Sequence, residues 1–183
     1  MAVLNDNLDI KTLPDWEQKR IYSGMRAPRV ITLHAGESLY HFASTQNYQG
    51  AAIPAGRWAA GPWWIKSHDY QKIVNESKRS GMTMGYTARV SAAIQQSYSR
   101  VDVVVEAMVV KHIMAFAGAG QKQHREMAPN GMYITMGGWN DVTQLYIPNI
   151  ADRNGLTALF GQALVVKKQE VINSQQLYPM KSK

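Results

Sequence analysis

The sequence contains no cysteine. That excludes disulfides, thiolate nucleophiles and zinc sites built on Cys ligands, and it leaves the redox compartment undetermined. Acidic residues are also few, 13 against 20 Lys and Arg, and no carboxylate pair stands out for glycosidase chemistry. No apolar run approaches the ~20 residues needed to cross a bilayer. The most hydrophobic stretch is broken by Asp102, Glu106, Lys111 and His112, so no membrane partner is expected. The opening MAVLNDNLDIKTLPDW has neither a basic n-region nor an apolar h-region. The expected location is therefore cytoplasmic, or exported by a route that needs no Sec-type signal. Phosphate-binding GxxxxGK[ST], strand–GxGxxG–helix, HExxH and GxSxG motifs are all missing. The histidines at 34, 41, 68, 112 and 124 show no metal-ligand spacing, so no metal is expected.

What remains describes a globular chain. A hydrophobic fraction of 45% with 18% charged residues over 183 positions suits one domain spanning 1–183. A loosely held arm is expected over 1–12 and a flexible tail over 175–183. The net charge of +7 and a pI near 9.6 favour an anionic partner such as nucleic acid or a nucleotide. The cations are nevertheless scattered, with Lys78-Arg79, Lys167-Lys168 and Lys181 with Lys183 the densest groups. A dispersed excess reads first as solubility.

The patterning predicts an α+β fold: a β-rich core of two packed, mostly antiparallel sheets, with helices mainly in the first half. Pro14-Asp15-Trp16-Glu17 opens a helix ending near Gly24. Residues 29–43 read as a hairpin, or a strand and its successor, about a Gly36-Glu37 turn. A Gly-, Ala- and Pro-rich loop follows over 45–61. Ser67 or His68 opens a second helix, with Tyr70, Ile73 and Val74 on its apolar face and Gly81 as its stop. A further helix is expected around Tyr86, Val90, Ile94 and Ser97. The valine-rich segment 103–116 reads as one buried strand, 118–131 as loop, and 132–136, 144–148 and 163–172 as strands.

Three short pieces carry possible chemistry. The first is Leu39-Tyr40-His41-Phe42-Ala43-Ser44, a histidine within an apolar strand. The second is Gly61-Pro62-Trp63-Trp64-Ile65, followed by Ser67 and Tyr70. The third runs from Trp139-Asn140-Asp141 through Gln144-Leu145-Tyr146-Ile147-Pro148. Each has a plain structural reading too. A histidine on an apolar strand is more often structural than functional. Adjacent Trp63 and Trp64 point to opposite faces, so at least one belongs to the core. Tyr70 fits the buried stripe of its helix.

In this order the pieces resemble the histidine–tyrosine–glutamate branch of the ADP-ribosyltransferase superfamily, which includes diphtheria-type toxins and poly(ADP-ribose) polymerases. The resemblance implies NAD as the bound nucleotide and substrate, with a macromolecular target left undefined. On it, His41 takes the NAD-ribose position, and Trp63, Trp64 and Tyr70 wall the nicotinamide. Arg57, with Arg29 and Lys66, is placed near the pyrophosphate. Gln144 falls where the family has its catalytic glutamate.

Two departures from the family follow. Phe42 stands where a glycine is common, and Gln144 is neutral, so it cannot offset an oxocarbenium charge. Three explanations stay open: a nucleotide-binding pseudo-enzyme, a carboxylate drawn from Asp141 or Glu106, or a toxin with glutamate exchanged for glutamine. The competing class is a basic, non-enzymatic structural or nucleic-acid-associated protein in an oligomeric assembly. Its ten Met and five Trp would suit such an interface.

Overall fold

The computed structural model describes residues 2–47, 49–94, 99–127, 133–136 and 142–174, with only the backbone described for 123–127 and 133–136. Helix α1 (Asp15–Gly24) follows Pro14, carries Asp15 and Glu17 in its first turn, and buries Glu17 and Ile21. Strands β1 (Met25–Leu33) and β2 (Ser38–Ala43) come next, then β3 (Trp63–Lys66). Helix α2 (Ser67–Ser80) starts without a break and stops at Gly81, whose φ of 72° is the left-handed cap that glycine adopts at little cost. The side chain of Thr83 caps α3 (Met84–Ser91) by accepting from the Tyr86 amide. The second half is mostly strands: β4 (Val103–Val109), β5 (Ile113–Gly120), β6 (Gln123–Met127), β7 (Tyr133–Met136), β8 (Thr143–Tyr146), β9 (Ala151–Asp152), β10 (Gly155–Leu156) and β11 (Leu164–Val171). The short α4 (Ala158–Ala163) precedes β11. No helix among the described residues is long and apolar enough to cross a membrane.

The architecture is α+β, as the patterning predicts, with three of the four α-helices among the described residues ahead of β4. Seven strands form one antiparallel sheet in the order β1-β5-β8-β3-β2-β4-β11. It has two wings, β1-β5-β8-β3 and β2-β4-β11. They meet in a β2–β3 ladder of two rungs, Leu39 opposite Lys66 and Tyr40 opposite Ile65. The two expected sheets are these wings. Both turn one face to a shared core that includes Leu33, Leu39, Trp64, Val105, Ile113, Leu145 and Leu164. On the outer face, α2 and α3 cover Phe42, Ile65 and Val104. Helix α1 covers Phe116 and Tyr146 there.

Three local expectations need correction. Of the two readings of residues 29–43, a strand and its successor holds and the hairpin does not: β1 pairs with β5, and β2 pairs with β3 and β4. The run 103–116 is two strands, because the chain leaves β4 at residues 110–112 and crosses to the other wing as β5. Both halves are buried and valine- or alanine-rich, so hydrophobicity alone gives no sign of the break. The segment 118–131 is not all loop, since β5 runs on to Gly120 and β6 follows. At Gly118 a Cβ would lie 2.3 Å from Met25 Cγ, so the glycine serves close strand packing rather than a turn. The opening arm is tied to the sheet: the Leu4 amide donates to His112 O, and Leu4 O accepts from the Met114 amide.

Candidate functional site

The site begins where the two wings part. Beyond Tyr40 the β2–β3 ladder stops, and a side chain replaces the next rung. His41 Nδ1 donates to the Trp63 carbonyl at 2.6 Å, which leaves Nε2 as the acceptor. Burial holds the imidazole neutral by lowering its pKa to about 4, while the bond to Trp63 works in the opposite direction. Gly61 makes room for it. A Cβ there would sit 2.6 Å from His41 Cε1 and 3.0 Å from Nε2.

The parted seam opens into a cleft of about 600 Å³, within the ordinary range of small-molecule sites. Three walls enclose it. One is the edge of α1, with Arg20, Ser23 and Gly24; another is the 53–62 loop, with Ile53, Arg57 and Trp58. The third is the chain leaving α3, with Ala92, Ala93 and Ile94, joined by Ser99. The floor is Tyr40, His41, Phe42, Trp63, Ile65 and Gln144. Among the described lining residues the formal charges are cationic, Arg20 and Arg57, and there is no Asp or Glu.

Five of the residues singled out from sequence line this one cleft: His41, Arg57, Trp63, Trp64 and Gln144. Their roles differ from one another. Trp64 is 1% exposed, packs in the main core and donates from Nε1 to Gly61 O at 2.9 Å. It supports the wall and offers a ligand almost no surface. Trp63 is the partly open ring, set edge-on to Tyr146 with centroids 4.9 Å apart. Arg57 donates to Arg153 O at 3.0 Å from the exposed rim. Gln144 is buried, and its Nε2 donates to Ala92 O.

Other assignments do not gather here. Tyr70 lies outside the cleft, stacked on Tyr40 with centroids 3.9 Å apart and rings 2° from parallel. As a member of α2's buried stripe it packs on the sheet's outer face. Lys66 pairs with Glu37 at 2.7 Å, and Arg29 lines a separate shallow depression beside Arg26 and Gly118. Glu106 is hydrogen-bonded to the Tyr40 hydroxyl and, with burial as the larger cause, raises that tyrosine's pKa. Asp141 lies outside the described residues.

Sequence reasoning missed Arg20, Arg89 and the α3 wall. Arg20 sits over the Tyr146 ring, 6.0 Å from its centroid, and Tyr146 Oη donates to buried Glu17 at 2.8 Å. The helical spacing of Arg20 to Ser23 and Gly24 could have marked a common face. Arg89, fully buried, donates to the carbonyls of Ile94, Ser99 and Arg100 at 3.1, 2.8 and 3.0 Å. It thereby ties Ile94 to Ser99 and Arg100, a role with no local sequence signature.

No family model matches the chain, and no curated protein matches it. Among solved structures it is similar to Rhs1-CT in complex with its cognate immunity protein RhsI1. The TM-score is 0.46 at 15% identity, covering 83% of this chain and 86% of that one.

Proposed function

We propose that the protein is an ADP-ribosyltransferase-like domain of toxin or effector type whose cleft binds NAD. The observation that carries this reading is the parted β2–β3 seam, where His41, Trp63, Arg57 and Gln144 line one cleft. A dinucleotide needs a flat apolar slot for a ring, hydrogen-bonding groups for a ribose, and cations for a pyrophosphate. Trp63 offers the slot, with stacking worth about 1 kcal/mol beyond burial. His41 Nε2 is the ribose partner, and Gln144 holds the facing wall through its bond to Ala92 O. Arg20 and Arg57 complement the phosphates with charge-assisted bonds.

Cleavage of the nicotinamide–ribose bond develops positive charge on the ribose, and the described lining offers no carboxylate to stabilise it. The proposed activity is therefore binding first, with transfer or NAD cleavage slow. Thermal unfolding with and without NAD, paired with a nicotinamide-release assay, tests it. At ligand a hundredfold above Kd, binding adds about 2.7 kcal/mol, a midpoint rise of roughly 5–10 °C. Little or no nicotinamide should appear. Absence of both a midpoint shift and release refutes the reading.

A further inference from the structure

We infer that Gln144 is a positioning residue that this cleft requires to be a neutral amide, not a catalytic glutamate that has been lost. The ligand in this inference, NAD, rests on the proposal above; the role of the side chain does not. Helix α3 ends at Ser91 with Ala92 as its C-cap, after which Ala93 takes a left-handed φ of 51° and the Ile94 amide returns to Arg89 O at 2.9 Å. The Ala92 carbonyl is one of the acceptors a helix leaves unsatisfied at its C-terminus. Gln144 Nε2 supplies the missing donor from β8, across the cleft floor. Only the amide nitrogen can face a carbonyl oxygen this way, which fixes the orientation of the side chain.

A carboxylate in the same place would meet two opposing charges. Its oxygen would face the Ala92 oxygen, and it would lie at the negative end of the α3 dipole. Gln144 is only 8% exposed, so water would not screen the repulsion well. The family's glutamate is thus incompatible with this wall, and the wall is held on its other side by Arg89. Of the charged and titratable groups on the surrounding elements, Arg20 on α1 and Tyr40 and His41 on β2 line the cleft, whereas Asp15, Glu17, Lys19 and Tyr22 on α1, Lys66 on β3, Tyr146 on β8, and Tyr86 and Arg89 on α3 do not. Strand β5 carries none. Of these, Lys66 is paired with Glu37 and Glu17 accepts from Tyr146, while His41 stays neutral above about pH 4.

The test compares Gln144→Glu, Gln144→Met and the unaltered chain in thermal unfolding between pH 5 and 8, each with and without NAD. A buried glutamate beside a carbonyl has a folded-state pKa above its unfolded one. Its protonated form can donate to Ala92 O, so Gln144→Glu should approach the parent midpoint at pH 5 and fall progressively as pH rises. The expected deficit at pH 8 is roughly 5 °C or more. Gln144→Met should be destabilised equally at all pH values relative to the parent and should bind NAD about tenfold more weakly. A Gln144→Glu protein as stable as the parent at pH 8, releasing nicotinamide faster, overturns the inference. If Gln144→Glu folds at neither pH, unchanged stability of Gln144→Met overturns it and a lowered midpoint supports it. Should the parent not bind NAD, the functional proposal fails while the pH dependence of Gln144→Glu still decides the role of the side chain.

Discussion

Gly61→Ala is the sharpest probe of how the seam is built. Gly61 is outside the left-handed region, so alanine is conformationally allowed and its effect is steric. Its methyl would lie 2.6 Å from His41 Cε1, well inside contact distance, and the imidazole is a rigid ring with nowhere to bend. Displacing the ring breaks the Nδ1 bond to Trp63 O, worth about 0.5–1.5 kcal/mol net, and strands a buried carbonyl at about 1–3 kcal/mol. Against this, replacing glycine stiffens the unfolded chain and returns roughly 0.4–1 kcal/mol. The balance is a loss of about 2 kcal/mol, or roughly 4–8 °C in Tm. On the proposed assignment of His41 to the ribose, NAD affinity should also fall at least tenfold. The assay is a double-mutant cycle with His41→Ala, read by thermal unfolding. Once the imidazole is gone, the methyl has nothing to strike, and Gly61→Ala should be neutral or slightly stabilising in that background. An equal cost in both backgrounds refutes the steric account of the seam.

His41 titrates from about 6.5 when unfolded to about 4 when folded, so the folded state binds fewer protons. Its contribution is therefore fully present above pH 6.5 and is lost as pH falls toward 4, by roughly 3 kcal/mol in all; a His41→Asn chain that loses stability just as steeply over that window would contradict this. Tyr146→Phe removes the donor to buried Glu17 and should lower stability by about 2 kcal/mol in urea unfolding, an unchanged midpoint being the adverse result. Arg57→Ala should weaken NAD binding about tenfold and reduce its salt dependence while leaving Tm without ligand nearly unchanged. Calorimetric titrations at two salt concentrations test this, and unaltered affinity would move the pyrophosphate elsewhere.

The sequence made the type of most elements legible because their signals are local. Pro14 and two acids begin α1, Gly81 ends α2, and the valines of β4 need a buried sheet. Pairing was less legible. Nothing within residues 29–43 says that β1 and β2 belong to different wings, since that choice is made by β5 and β4, distant in the chain. The site divides the same way. Alternation along β3 correctly predicts that one of Trp63 and Trp64 is core, but only the packed structure identifies it as Trp64. A Trp64→Ala experiment would therefore report about 3–5 kcal/mol of lost packing before it reported anything about a ligand. Tyr70 satisfied both a family pattern and a helix stripe, and the stripe prevailed because α2 has an apolar sheet face to cover. Arg89 was invisible because its partners are backbone carbonyls, which every residue possesses.

The way the chain shuttles between the wings bears on how the molecule comes into being. In order, β1, β3, β5 and β8 belong to one wing and β2, β4 and β11 to the other, so neither wing is a contiguous piece of chain. Apart from β2 and β3, which are separated by residues 44–62, every ladder of the large sheet joins strands that are not consecutive in the chain. Early folding through local hairpins is thereby closed to the large sheet, and slow folding of high contact order is the expected kinetics. The cleft draws on residues from Arg20 to Gln144. A growing chain thus holds no complete site until Gln144 has been made, and a cut at residues 110–112 should yield halves that regain the whole site only together.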